Sequence, residues 1–169
     1  MNLKNCRSGE NRSDKMDYDQ LLQESKLLKI DTYEKQMTPS IKGLYADNVI
    51  FINKDISTRS EKACILAEEL GHYHTTSGNI LDQQKIANLQ REKRARTWAY
   101  EKIVPLSKII TAYNQNIENH HELAEFLGVT ENFLEKALQR YQEIYGLTCE
   151  IGGYIICFEP LDIKNDTTK

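Results

Sequence analysis

The sequence predicts an α+β fold, and three observations carry that expectation. Apolar residues recur at helical spacing through residues 17–28, 58–74 and 91–104. Two short β-prone runs, 41–45 and 49–53, flank the turn residues Ala46-Asp47-Asn48. A second hairpin pattern closes the chain, with arms 146–150 and 154–158 around Gly152-Gly153, a favourable two-residue turn. The arrangement expected from them is a small antiparallel sheet packed on the 58–74 helix, with the 91–104 helix crossing it.

Taken in order, residues 1–16 are polar, of mixed charge and without periodicity, so they are expected to form a disordered N-terminal extension. Met16 is read as an alternative start. Residues 17–105 form the expected core. In it Tyr18, Leu21, Leu22 and Leu28 make one helical stripe, and 30–36 reads as a short strand. The run Val49-Ile50-Phe51-Ile52 is apolar enough for a strand buried on both faces, while Gly43-Leu44-Tyr45 suits an edge. Residues 75–89 read mostly as loop. The helix from Arg91 to Val104 carries Ala95, Trp98, Ala99 and Ile103 on its packing face and is ended by Pro105. Residues 106–161 form the second expected part, a helix pair plus the closing hairpin. Asn119 and Thr130 are read as N-caps, and Gly128 as the helix stop between them. The string from Glu122 to Thr130 has the look of the first helix and turn of a helix-turn-helix. The tail, 162–169, is expected to fray.

Composition excludes several classes. The chain has 169 residues, enough for one domain or two small ones, and a net charge of −3, which offers no basic surface for nucleic acid. Between Glu118 and Gly146 there are six acids against two bases, so the helix pair itself repels phosphate. Apolar runs reach only four or five residues, far below the ~20 needed to span a bilayer. The first residues contain no apolar leader, and a cytoplasmic location is expected. The four cysteines, Cys6, Cys64, Cys149 and Cys157, lack C-x-x-C spacing and read as reduced thiols. In the two-residue hairpin register Cys157 faces Thr148, so it need not bond to Cys149.

The chemistry concentrates in Leu66-Ala-Glu-Glu-Leu-Gly-His72. Thr58 with Glu61 makes a capping box that starts this helix, and Leu66, Leu70 and Tyr73 recur at core spacing. Glu68 and His72 are four residues apart and share one helix face, with Glu69 beside them. That is the spacing of H-E-x-x-H zinc sites, in which two ligands at i and i+4 hold the metal and the Glu between them activates water. Here the first histidine is a glutamate, and E-E-x-x-H alone is more often the pattern of a solvated helix face. His74 falls on another face of the helix and reads as a surface side chain. An edge strand beside such a helix can hold a peptide by strand addition, or simply cover the helix.

Three blocks together resemble the ImmA/IrrE family of bacterial and phage metalloendopeptidases. They are Gly43-Leu-Tyr-Ala-Asp-Asn-Val-Ile-Phe-Ile-Asn53, Leu66-Ala-Glu-Glu-Leu-Gly-His72, and Glu92-Lys-Arg-Ala-Arg-Thr-Trp-Ala-Tyr-Glu-Lys-Ile-Val-Pro105. The likeness runs from about Asp17 to Leu161. It implies a zincin-like metalloprotease core followed by a helix-turn-helix-like helical part and a C-terminal hairpin. It implies zinc as cofactor, with Glu68, His72 and Glu92 as ligands and Glu69 as general base; Glu68 stands where the family most often has its first ligand histidine. It implies a protein substrate, typically a helix-turn-helix repressor of a mobile element, and no nucleic-acid or membrane partner. Tyr73, Tyr100 and Tyr113 are equal candidates to stabilise an oxyanion. Two other readings stay open. One is a degenerate relative that binds a repressor without cutting it, in which Arg94 pairs Glu68 or Glu92 and no metal is held. The other is a DNA-binding regulator using the helix pair.

Overall fold

A computed structural model of the protein describes residues 16–75, 85–117 and 119–166. The expected disorder of 1–15 and most of the 75–89 loop lie outside the described residues. The first helix, α1 (Tyr18–Leu27), is opened by a reciprocal capping box. The Asp17 carboxylate accepts from the Gln20 N–H at 2.9 Å, and the Gln20 side chain accepts from the Asp17 N–H at 2.9 Å. It presents Tyr18 and Leu21 to the core.

Strands β1 (Asp31–Lys35), β2 (Gly43–Ala46) and β3 (Val49–Asn53) form one sheet in the order β1-β3-β2. The apolar β3 is the central strand and β2 an edge, as their composition predicts. The sheet is mixed, however, and not antiparallel. Strands β2 and β3 make a hairpin over Asp47 and Asn48, both at positive φ, whereas β1 runs parallel to β3. The cause is the connection 36–42, which crosses to the far side of β3 instead of turning back on β1. The buried Asn53 side chain holds that connection, donating to the carbonyls of Met37, Thr38 and Ile41 at 3.0–3.4 Å.

Helix α2 (Arg59–Thr75) begins at Thr58, whose Oγ1 accepts from the Glu61 N–H at 3.2 Å. The Glu61 carboxylate does not return to the cap; it pairs with Lys42 at 2.6 Å and so ties the helix start to the approach of β2. Helix α3 (Lys85–Ile103) starts earlier than the expected 91, so residues 85–89 are helical and not loop. The run Lys85-Ile-Ala-Asn-Leu-Gln90 is made mostly of good helix formers and has no breaker. Ala95, Ala99 and Ile103 are fully buried on its inner face.

Helix α4 (Leu106–Asn114) follows Pro105 directly and was not foreseen. Helices α5 (His120–Leu127) and α6 (Glu131–Tyr145) are capped by Asn119 and Thr130 as expected, and Gly128 adopts the left-handed conformation between them. Strands β4 (Thr148–Ile151), β5 (Tyr154–Phe158) and β6 (Leu161–Asn165) complete a second, antiparallel sheet. Thr148 faces Cys157 across the hairpin, the register expected, and Cys64, Cys149 and Cys157 are free thiols. Of the tail expected to fray, residues 162–165 instead belong to strand β6, anchored by the buried Ile163 against Ile156, and 167–169 lie outside the described residues. One continuous apolar core joins α1, the first sheet and α2 to α6 and β5. Among the described residues no helix is long and apolar enough to cross a membrane.

Candidate active site

The crossing of α2 and α3 assembles the site. Gly71 sits at the closest approach, where an added Cβ would strike the carbonyl oxygen and backbone of Ala95. With no side chain at 71, α3 lies directly on α2. The next residue, His72, then meets Glu92, one turn before Ala95. His72 Nε2 lies 3.3 Å from Glu92 Oε2. Two donors on one tetrahedral zinc, with bonds of about 2.0–2.2 Å, sit about 3.3–3.5 Å apart, so this pair has the spacing a shared metal requires. Glu68, one turn before His72, lines the same cleft. Among the described residues, however, no three of the His, Cys, Asp and Glu side chains converge as a ready ligand group.

Glu69 faces the edge strand. A Cβ on Gly43 would come within 2.6 Å of Glu69 Oε1, so glycine there leaves the room the carboxylate occupies. The Tyr45 backbone N–H donates to Glu69. The Lys42 carbonyl accepts from the Asn53 N–H at 2.9 Å, so Lys42 faces β3. Backbone alternation then turns Gly43 and Tyr45 toward the open edge.

The electrostatics of the cleft follow from crowding three carboxylates into a partly dry space. Burial, with the neighbouring charges of Glu68 and Glu92, raises the Glu69 pKa to about 7, against the Tyr45 N–H, which lowers it. Burial also raises Glu68, opposed by Arg96. Arg96 Nη2 donates to Glu92 Oε1 at 2.7 Å. The charge that offsets the site from α3 is Arg96. Arg94, the partner named for the metal-free reading, is exposed on α3 and makes no ion pair with Glu68 or Glu92.

The cleft holds about 1150 Å³ between β2, α2, α3 and the first turns of α6, where Thr130, Phe133 and Lys136 form its far wall. None of Tyr73, Tyr100 and Tyr113 lines it; the tyrosine that does is Tyr45. Tyr73 packs edge-on against Tyr45 and His74, and Tyr100 packs edge-on against Phe133. His74 stacks on Trp98 at 4.4 Å, off the His72 face, because α2 continues past it to Thr75. Cys64, at the cleft floor, is held unreactive by burial, which pushes its thiol up to about 12. Sequence reasoning missed Arg96 as an individual, although its i,i+4 spacing from Glu92 was there to find. It also missed the α6 wall, which no local pattern announces.

The cleft thus gathers adjacent carboxylates and a histidine from α2, a carboxylate from the crossing α3 and the edge strand β2. The chain belongs to the family described as the IrrE N-terminal-like domain, a peptidase family, which matches residues 16–139. This agrees with the ImmA/IrrE resemblance, supports a protease-type enzyme and implies a protein substrate in general. No curated protein and no solved structure matches the chain.

Proposed function

We propose that the protein is a zinc-dependent endopeptidase that cleaves a regulatory protein, a helix-turn-helix repressor of a phage or mobile element. The observation that carries the catalytic part is the 3.3 Å approach of His72 Nε2 and Glu92 Oε2 beside the Glu69 carboxylate. The repressor substrate rests on the family resemblance alone. His72 and Glu92 fit a zinc ion by spacing and donor type, and Glu68, on the same helix face as His72, is the third ligand. A bound zinc would supply Lewis acidity to a water molecule and to the scissile carbonyl.

The chain's own groups do the rest. A substrate strand laid along the open edge of β2 meets the backbone of Gly43 and Tyr45, which sets its direction past the site. Glu69 takes the proton of the attacking water and passes it to the leaving amine. Burial raises its carboxyl pKa above the usual range, which suits both transfers. The Tyr45 N–H keeps it oriented toward the edge strand.

The test is zinc stoichiometry together with cleavage of a co-expressed repressor. Glu69→Gln keeps shape but removes the base, so zinc is expected to stay while cleavage falls by roughly 10²–10⁴-fold. Glu68→Ala and Glu92→Ala are expected to lose zinc and activity together. Parent-like cleavage by Glu69→Gln rejects the protease mechanism.

One observation favours a second reading, a non-catalytic relative that binds the repressor. Arg96 already neutralises Glu92, and no third donor closes on the pair among the described residues. On that reading Glu68→His gains zinc while the parent has none.

A further inference from the structure

Glu92 is divided between two neighbours. Its Oε1 accepts from Arg96 Nη2 at 2.7 Å, and its Oε2 stands 3.3 Å from His72 Nε2. Arg96 lies one turn further along α3, so the pair is an i,i+4 bridge built into a single rigid helix. Both side chains are partly exposed, Glu92 at 39% and Arg96 at 48%. Left alone, a glutamate this exposed would sample several rotamers and present either oxygen to the cleft. With Oε1 held, the carboxylate plane is turned and Oε2 faces the histidine.

We propose that Arg96 is a positioning residue that holds Glu92 in the orientation needed to ligate zinc beside His72. The inference rests on the zinc-site reading above and deepens it by assigning the group that orients one ligand. Arg96 acts in two opposing ways. Its charge repels a divalent cation, so removing the charge alone tightens zinc binding. Its hydrogen bond restrains the ligand, so removing the bond weakens zinc binding. At this exposure the high dielectric of solvent leaves the repulsion weak, whereas outer-shell partners of ligating carboxylates typically change metal affinity about 10–100-fold. The restraint therefore wins, and the sign of the effect separates the two roles.

The experiment is zinc affinity of the full chain by competition with a chromophoric chelator. It compares the parent, Arg96→Met, Arg96→Lys, Arg94→Met and His72→Ala. Arg96→Met is expected to bind zinc about 10–100-fold more weakly than the parent. Arg96→Lys, which can still donate to Glu92 but without the rigid planar fork, is expected to fall between them. Arg94→Met removes the same charge from an exposed neighbour without a bond to Glu92, and is expected to bind no more weakly than the parent. An Arg96→Met protein that binds zinc as tightly as the parent, or more tightly, overturns the assignment and leaves the zinc site standing. Equal weakening in Arg94→Met and Arg96→Met overturns it too, since a residue with no bond to Glu92 would then matter as much as Arg96. A parent that holds no zinc sensitive to His72→Ala overturns the zinc reading and this assignment with it.

Discussion

Gly71 does two jobs with one missing methyl group. It lets α3 rest on α2, and by doing so it brings Glu92 to His72. Alanine there is a good helix former, so local propensity favours the change; the obstruction is Ala95 backbone, which cannot swing aside like a side chain. Gly71→Ala is expected to cost about 1–3 kcal/mol in urea unfolding, the usual price of overpacking. It is also expected to weaken zinc binding by parting His72 from Glu92. A variant with parent stability and parent zinc affinity would show that the crossing is looser than described. The sequence exposed Glu68, Glu69 and His72 through spacing on one helix. It placed Glu92 only through family likeness, because the meeting of two residues twenty positions apart on different helices is a tertiary event.

At the scale of elements, α1, β1 and α2 are tied by one carboxylate. Glu34 on β1 accepts from the Tyr18 hydroxyl at 3.0 Å and from Lys62 at 2.7 Å. The Lys62 bond, with the Tyr18 hydroxyl and both nearby cations, holds the Glu34 pKa below the usual carboxylate range despite partial burial. A folded pKa below the unfolded one means stability that is present above the unfolded value and lost as pH falls through the folded one. The parent is therefore expected to lose stability from about pH 4.5 downward in part through Glu34. Glu34→Gln should flatten that part of the unfolding-free-energy profile; an unchanged slope would mean the triad is screened to nothing. Elements missed from the sequence had signals of uneven quality. Leu106, Ile109, Ile110 and Tyr113 keep helical spacing after Pro105, so α4 was legible in principle. The parallel pairing of β1 was not, because it depends on the Asn53 side chain holding the crossover. Nor was β6, whose Asp162, Lys164 and Asn165 read as a polar tail until Ile163 is seen to pack on Ile156.

For the molecule as a whole, the α5–α6 pair is part of the site's housing, since the first turns of α6 wall the cleft. Its acidic balance points the same way. Much of the scarce basic charge nearby is already paired at the surface, with Lys93 and Arg140 both on Glu143 at 2.9 and 2.8 Å. Duplex DNA titrated in low salt is expected to show no binding that weakens steeply as salt rises. Steep salt dependence would revive the DNA-binding reading, because counterion release reports phosphates neutralised by the protein.

The sequence by itself determined α1, α2, α5 and α6, the caps at Thr58, Asn119 and Thr130, the two glycine- and asparagine-turned hairpins, the edge position of β2 and the Glu68–Glu69–His72 face. All of these depend on residues close in the chain, where spacing and turn chemistry suffice. Only the tertiary structure decided that β1 runs parallel, that Arg96 rather than Arg94 serves Glu92, and that α6 closes the cleft. Each of those depends on which surfaces meet, and what allows them to meet is a buried amide at Asn53 and the absence of a side chain at Gly71.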